Sequence, residues 1–102
     1  MIEFEDLRLR LLESEKPIEN LKEALAIDHV KNEIAELEKQ ASAPGFWDDS
    51  ENSQKVLKKT GALKAKVESY DSLKNDYDDT LMMIELANEE NDESMLEDCT
   101  KS

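Results

Sequence analysis

The chain has 102 residues, with 26 acids against 13 lysines and arginines and a formal net charge of −13. Such a field opposes nucleic acid as the main partner, because every phosphate contact would have to overcome repulsion. Ala, Glu, Lys, Leu and Arg supply 50 of the residues and Gly and Pro only two each, the composition of long helices or coiled coils.

Leu, Ile, Val and Phe number 23, so the core must be a seam rather than a globule. One cysteine permits no internal disulfide and fits a reducing compartment. No apolar run is long enough for a membrane span and no signal-peptide pattern occurs, so the expectation is a cytoplasmic protein with no membrane partner.

Residues 2–26 read as a first helix. Phe4, Leu7, Leu11, Ser14, Ile18, Leu21 and Leu25 step by threes and fours, a heptad seam with one polar member. Leu9 and Leu12 widen the apolar face. Pro17 interrupts this helix, and it either kinks near Ser14 or ends there and restarts with Pro17 at its first position. The seam keeps its phase across the proline, which favours the kink. Asp28 is the expected cap of a second helix, whose seam is Val30, Ile34, Leu37 and Ala41, joined to the first by a residue or two. His29, the one histidine, reads as a solvated residue in that helix's first turn, without a second metal ligand at suitable spacing.

Ala43-Pro44-Gly45-Phe46-Trp47-Asp48-Asp49 is the stretch that stops the helical pattern. Pro44 disfavours helix at Ala43, and Gly45 can adopt the positive φ of a tight turn. Asp48 or Asp49 can cap the next helix, with Glu51 completing a capping box from Asp48. Phe46 and Trp47 sit where the chain reverses. The favoured reading makes both a buried plug at the end of a bundle; the other makes them an exposed anchor for a partner.

From about Asp49 to about Asn88 runs the longest element, with a seam of Val56, Thr60, Leu63, Val67, Tyr70, Lys74, Tyr77, Leu81 and Ile84. Gly61 lies inside it, where its small size would let another helix approach. Leu57, Leu73, Met82, Met83 and Leu86 form a second apolar flank, with the methionines read as gap-filling core. Lys55, Lys58, Lys59, Lys64 and Lys66 make residues 51–70 locally +3, whereas residues 71–102 carry −9. The lysines are a solvated face balancing acidic neighbouring helices, or a contact zone. Lys55, Lys59 and Lys66 share one face by helical spacing and form the candidate partner-contact patch. Glu89, Glu90, Asp92 and Glu93 mark a break into a short last helix, capped by Asn91 or Asp92, with Met95, Leu96 and Cys99 on its apolar side. That helix stops at Ser102 after barely two turns, which points to a longer parent protein.

The fold expected is therefore all-α: an elongated, antiparallel, coiled-coil-like bundle of two shorter helices on one long helix, plus a short C-terminal helix, in a single domain over 1–102. No nucleophile–His–acid trio, glycine-rich phosphate loop or Cys/His metal spacing occurs, so no enzyme, cofactor, metal or small-molecule substrate is expected.

Pro44-Gly45-Phe46-Trp47-Asp48 resembles the Pro-Asp-Phe-Trp-Asn/Asp corner in the N-terminal domain of the bacterial peptide chain release factor 2 family. Ser53-Gln54-Lys55-Val56 follows where that family has Ala-Gln-Lys-Val, and Ile34-Ala35-Glu36-Leu37-Glu38 is similar to its second helix. Ile84-Glu85-Leu86-Ala87, followed by Glu89-Glu90-Asn91-Asp92-Glu93, resembles its Glu-Leu-Ala-acidic segment. Pro17, Gly45 and Gly61 depart from the pattern and bear on helix straightness. The resemblance implies the N-terminal fragment of a factor that recognises stop codons and triggers peptidyl-tRNA hydrolysis. It also implies a monomer contacting the ribosomal stalk base, with its RNA and protein, and the GTPase release factor. The motifs for decoding and hydrolysis, Ser-Pro-Phe and Gly-Gly-Gln, are absent from these residues. The competing readings are a free-standing coiled-coil adaptor that dimerises through the long helix, and an acidic nucleic-acid mimic or chaperone-like binder.

Overall fold

A computed structural model of the chain describes residues 2–90, and every regular element in that span is helical. Helix α1 covers Ile2–Leu12, α2 Glu15–Ala24, α3 Ile27–Ala41 and α4 Ser50–Glu90, with a single 3₁₀ turn at Phe46–Asp48. The all-α expectation holds. The expected last helix, with Asn91, Asp92, Met95, Leu96 and Cys99, lies outside the described residues.

The first expected helix is two helices, not one kinked helix. The Ser14 amide donates to the Leu11 carbonyl at 2.9 Å, a tightened turn, and the Ser14 hydroxyl donates to the same oxygen at 2.5 Å. Helix α2 then starts at Glu15 and places Pro17 third. The first amides of any helix lack an intrahelical acceptor, so a proline there forfeits no hydrogen bond. Breaking the helix costs less than carrying the proline inside it.

Two compact units make up the described chain, residues 2–21 with 71–90 and residues 22–70. In the first, Arg8 Nε donates to Glu85 Oε1 at 3.2 Å, and the Tyr77 hydroxyl donates to Glu15 Oε2 at 3.4 Å. The later residue of one helical segment of the unit meets the earlier residue of the other, so the packing is antiparallel. Phe4, Ile18, Tyr77, Ile84 and Ala87 are its buried residues, with Phe4 fully enclosed. Leu7, Leu11 and Leu81 are half-buried around them.

The second unit is a helical hairpin. Leu37, Phe46 and Val56 form one cluster, flanked by Ala41 and Leu63, while Ile27, Val30 and Ile34 continue the buried stripe of α3. Helix α3 is entered through Ala26 at φ 51°, ψ 47°, without a side-chain cap. Asp28 is therefore a first-turn acid favourably placed at the helix dipole, not the expected cap. Starting two residues earlier buries Ile27, and that burial offsets the left-handed backbone at Ala26.

The seam expected along α4 is the one that is buried or half-buried, and Ser53 and Ala87 extend it at either end. Its polar members are satisfied within the helix. Thr60 Oγ1 donates to the Val56 carbonyl at 2.7 Å and Ser53 Oγ to the Ser50 carbonyl at 3.1 Å. Two expectations for the flank fail. Met82 is exposed, as are Leu57, Leu73 and Leu86. A Cβ added at Gly61 would meet nothing within 4 Å, so no helix approaches there.

Candidate functional site

Both candidate surfaces named from the sequence fall in the hairpin unit. At the corner, Gly45 takes φ 82°, the left-handed geometry that glycine adopts without strain. This turns the chain out of α3 and into the 3₁₀ turn, where the Phe46 amide donates to the Ala43 carbonyl at 3.2 Å and the Asp48 amide to the Gly45 carbonyl at 3.1 Å. The Asn52 amide donates to Asp49 Oδ1 at 3.0 Å, so Asp49 caps α4. The capping box expected from Asp48 to Glu51 does not form, because the helix begins one residue later. Glu51 instead meets Lys55 at 3.8 Å.

The two aromatics of the corner part company. Phe46 is 7% exposed and packs between Leu37 and Val56. Trp47 is 65% exposed, which overturns the reading of both as a plug. A three-residue 3₁₀ turn advances about 120° per residue, so consecutive side chains cannot share a face. The rings meet edge to face, with centroids 5.0 Å apart and planes at 89°. Pro44, Gly45 and Asp48 are also exposed.

The lysines of α4 divide between internal and outward roles. Lys59 pairs with Glu33 at 3.3 Å and Lys64 with Glu38 at 3.3 Å, both on α3. These tie the hairpin laterally, each by well under ~1 kcal/mol at such exposed positions. Lys55 is held by Glu51. Lys58 and Lys66 make no ion pair among the described residues and are exposed. Of the candidate patch Lys55, Lys59 and Lys66, then, Lys59 is engaged towards α3, and Lys66 is the member most open to a partner.

The first unit carries a feature the sequence reading missed. Leu11, Pro17, Ile18, Leu21, Leu73 and Tyr77 line an open apolar groove of about 460 Å³, with Ser14, Asp76 and Thr80 at its edge. Its signal in the sequence is Leu73 on the second apolar flank of the long helix. Burial, and then the Glu15 carboxylate with its hydrogen bond, pushes the Tyr77 hydroxyl above its ordinary 10.0. Lys74, 5.1 Å from the ring centre, opposes that shift.

Among the described residues no three His, Cys, Asp or Glu side chains gather as a metal site, and no helix is long and apolar enough to cross a membrane. His29 is exposed in the first turn of α3.

Residues 30–102 match the PCRF domain family. Peptide chain release factor 2 of an Exiguobacterium strain is 37% identical over 99% of this chain and 28% of its own length. The Streptomyces avermitilis factor of the same name is 39% identical over 74% of the chain and 20% of its own length. That of Petrotoga mobilis is 33% identical over 93% and 25%. The chain thus spans between a fifth and just over a quarter of these curated relatives. No solved structure matches it. The chain belongs to the PCRF domain family, and the relatives named above are bacterial proteins called peptide chain release factor 2.

Proposed function

We propose that this chain acts as the N-terminal helical domain of a class I translation termination factor. In that role it is an interaction domain, contacting the ribosome's stalk base and the GTPase release factor in the cytoplasm while other parts of the factor decode and hydrolyse. The observation that carries this is the match across 99% of the chain to a release factor 2 of which it covers only 28%. The chemistry is consistent with it. The described residues offer helical surfaces and an exposed indole, with no grouping of side chains suited to acyl transfer.

Charge segregation lets an acidic domain approach RNA and basic protein. The lysine zone of α4 is the part suited to phosphate, and Lys66 and Lys58 are its uncommitted members. Co-sedimentation of the 102-residue chain with ribosomes tests the reading. Binding should occur at low salt and weaken as salt rises, without stop-codon-dependent peptide release above background. The double variant Lys58→Glu/Lys66→Glu should slow association more than it changes dissociation; Lys55 and Lys59 are left intact because glutamate there would face Glu51 and Glu33. No ribosome binding at any salt would overturn the proposal.

A further inference from the structure

We infer that Trp47 anchors a contact with a cationic side chain, arginine or lysine, presented by a basic protein segment. The inference stands on the corner's own geometry and does not depend on the release-factor reading. Trp47 is the chain's one tryptophan and is 65% exposed. Its neighbour Phe46 already fills the core position, so the indole's apolar area contributes little to the fold. Its orientation is nonetheless fixed. The edge of one ring meets the face of the other at 5.0 Å, Phe46 is clamped between Leu37 and Val56, and the turn beneath is closed by two backbone hydrogen bonds. A large aromatic held rigid in solvent loses little conformational freedom on binding, which is what a contact anchor requires.

Charge selects the occupant. From Gln40 to Gln54 the chain has three acids, Asp48, Asp49 and Glu51, and no lysine or arginine. Asp49 is occupied by the helix cap and Glu51 by Lys55, which leaves Asp48, next to Trp47 in sequence, as the acid without a described cationic partner. No described lysine or arginine lies over the Trp47 ring; the described cation–ring contact is Lys74 on Tyr77. An exposed aromatic face in an acidic stretch attracts a guanidinium or ammonium by both its quadrupole and the local negative charge. A nucleic-acid base could stack on the same ring, but its phosphates would meet the three acids without a compensating base. The geometry therefore favours a basic protein over RNA.

Trp47 reports on itself, because its fluorescence is the protein's only indole signal. The chain is titrated at low salt with a peptide of alternating arginine and glycine, with a glutamate–glycine peptide of equal length, and with a single-stranded RNA. A saturable change in Trp47 emission with the arginine peptide alone is expected. Trp47→Ala should weaken binding of the labelled arginine peptide about threefold to tenfold, with an unchanged melting temperature, and Trp47→Phe should recover part of the loss. Equal affinity of wild type and Trp47→Ala would overturn the inference, leaving only diffuse attraction to an acidic protein. No binding of the arginine peptide, or Trp47-dependent binding of the RNA instead, would overturn it equally.

Discussion

The two units bury their seams by different means. The hairpin unit is closed by contiguous chain. Gly45 reverses it, Asp49 starts the next helix, Phe46 fills the bend, and Lys59 and Lys64 tie its sides. The other unit has no chain-reversing turn of its own among the described residues. It joins residues more than sixty positions apart through Phe4, Tyr77 and Ile84, with Arg8–Glu85 and Tyr77–Glu15 at its edges. Closing so long a loop costs more entropy than closing a hairpin, and apolar burial is the main contribution that offsets it. Local turn chemistry secures one unit; a few large side chains secure the other.

The largest break in that comparison should come from Phe4→Ala. Removing a fully enclosed phenyl ring should cost about 3–5 kcal/mol, read by denaturant unfolding. Hydrogen exchange should place the loss in α1 and residues 71–90 before α3. Equal protection changes in both units would mean that they do not unfold separately. Gly45→Ala attacks the other closure and should cost about 1–2 kcal/mol, because alanine must adopt φ 82° even though its Cβ has room. Gly61→Ala should add up to about 1 kcal/mol of stability, since the site is helical and open. A loss there would reveal a contact that the helix face does not show.

The smallest effect concerns the Tyr77 edge. Its hydroxyl holds its proton above the ordinary value, so between pH 10 and its own titration the folded chain keeps a proton that the unfolded chain releases. Stability present below about pH 10 is lost as pH rises further. Tyr77→Phe should flatten that alkaline decline in a pH series of melting temperatures, and an unchanged slope would rule out Tyr77 as its source.

Periodicity made the seams legible, since burying one stripe of a helix requires apolar residues at threes and fours. Val56 through Ile84 could be named residue by residue for that reason. Starts and stops were harder, because several arrangements satisfy the same local rules. Asp48 and Asp49 are both competent caps, and only the 3₁₀ turn decides for Asp49. Pro17 fits a kink or a first turn, and the seam's unbroken phase favours the kink, whereas the structure ends one helix at Leu12 and starts the next at Glu15. Ala26 carries no signal of a left-handed residue, since burial of Ile27 imposes it. Trp47 was misplaced because hydrophobicity says that a residue can be buried, not that space exists for two adjacent rings. The outward lysines followed the same logic: spacing put Lys55, Lys59 and Lys66 on one face, but only the position of Glu33 shows that Lys59 is engaged.

The division of labour between two adjacent aromatics is the central claim, and parallel unfolding of Phe46→Ala and Trp47→Ala tests it most directly. Phe46→Ala should lose about 3–5 kcal/mol, while Trp47→Ala should stay within about 0.5 kcal/mol of wild type. Comparable losses in the two variants would put the indole back in the core and contradict its role as an outward-facing anchor.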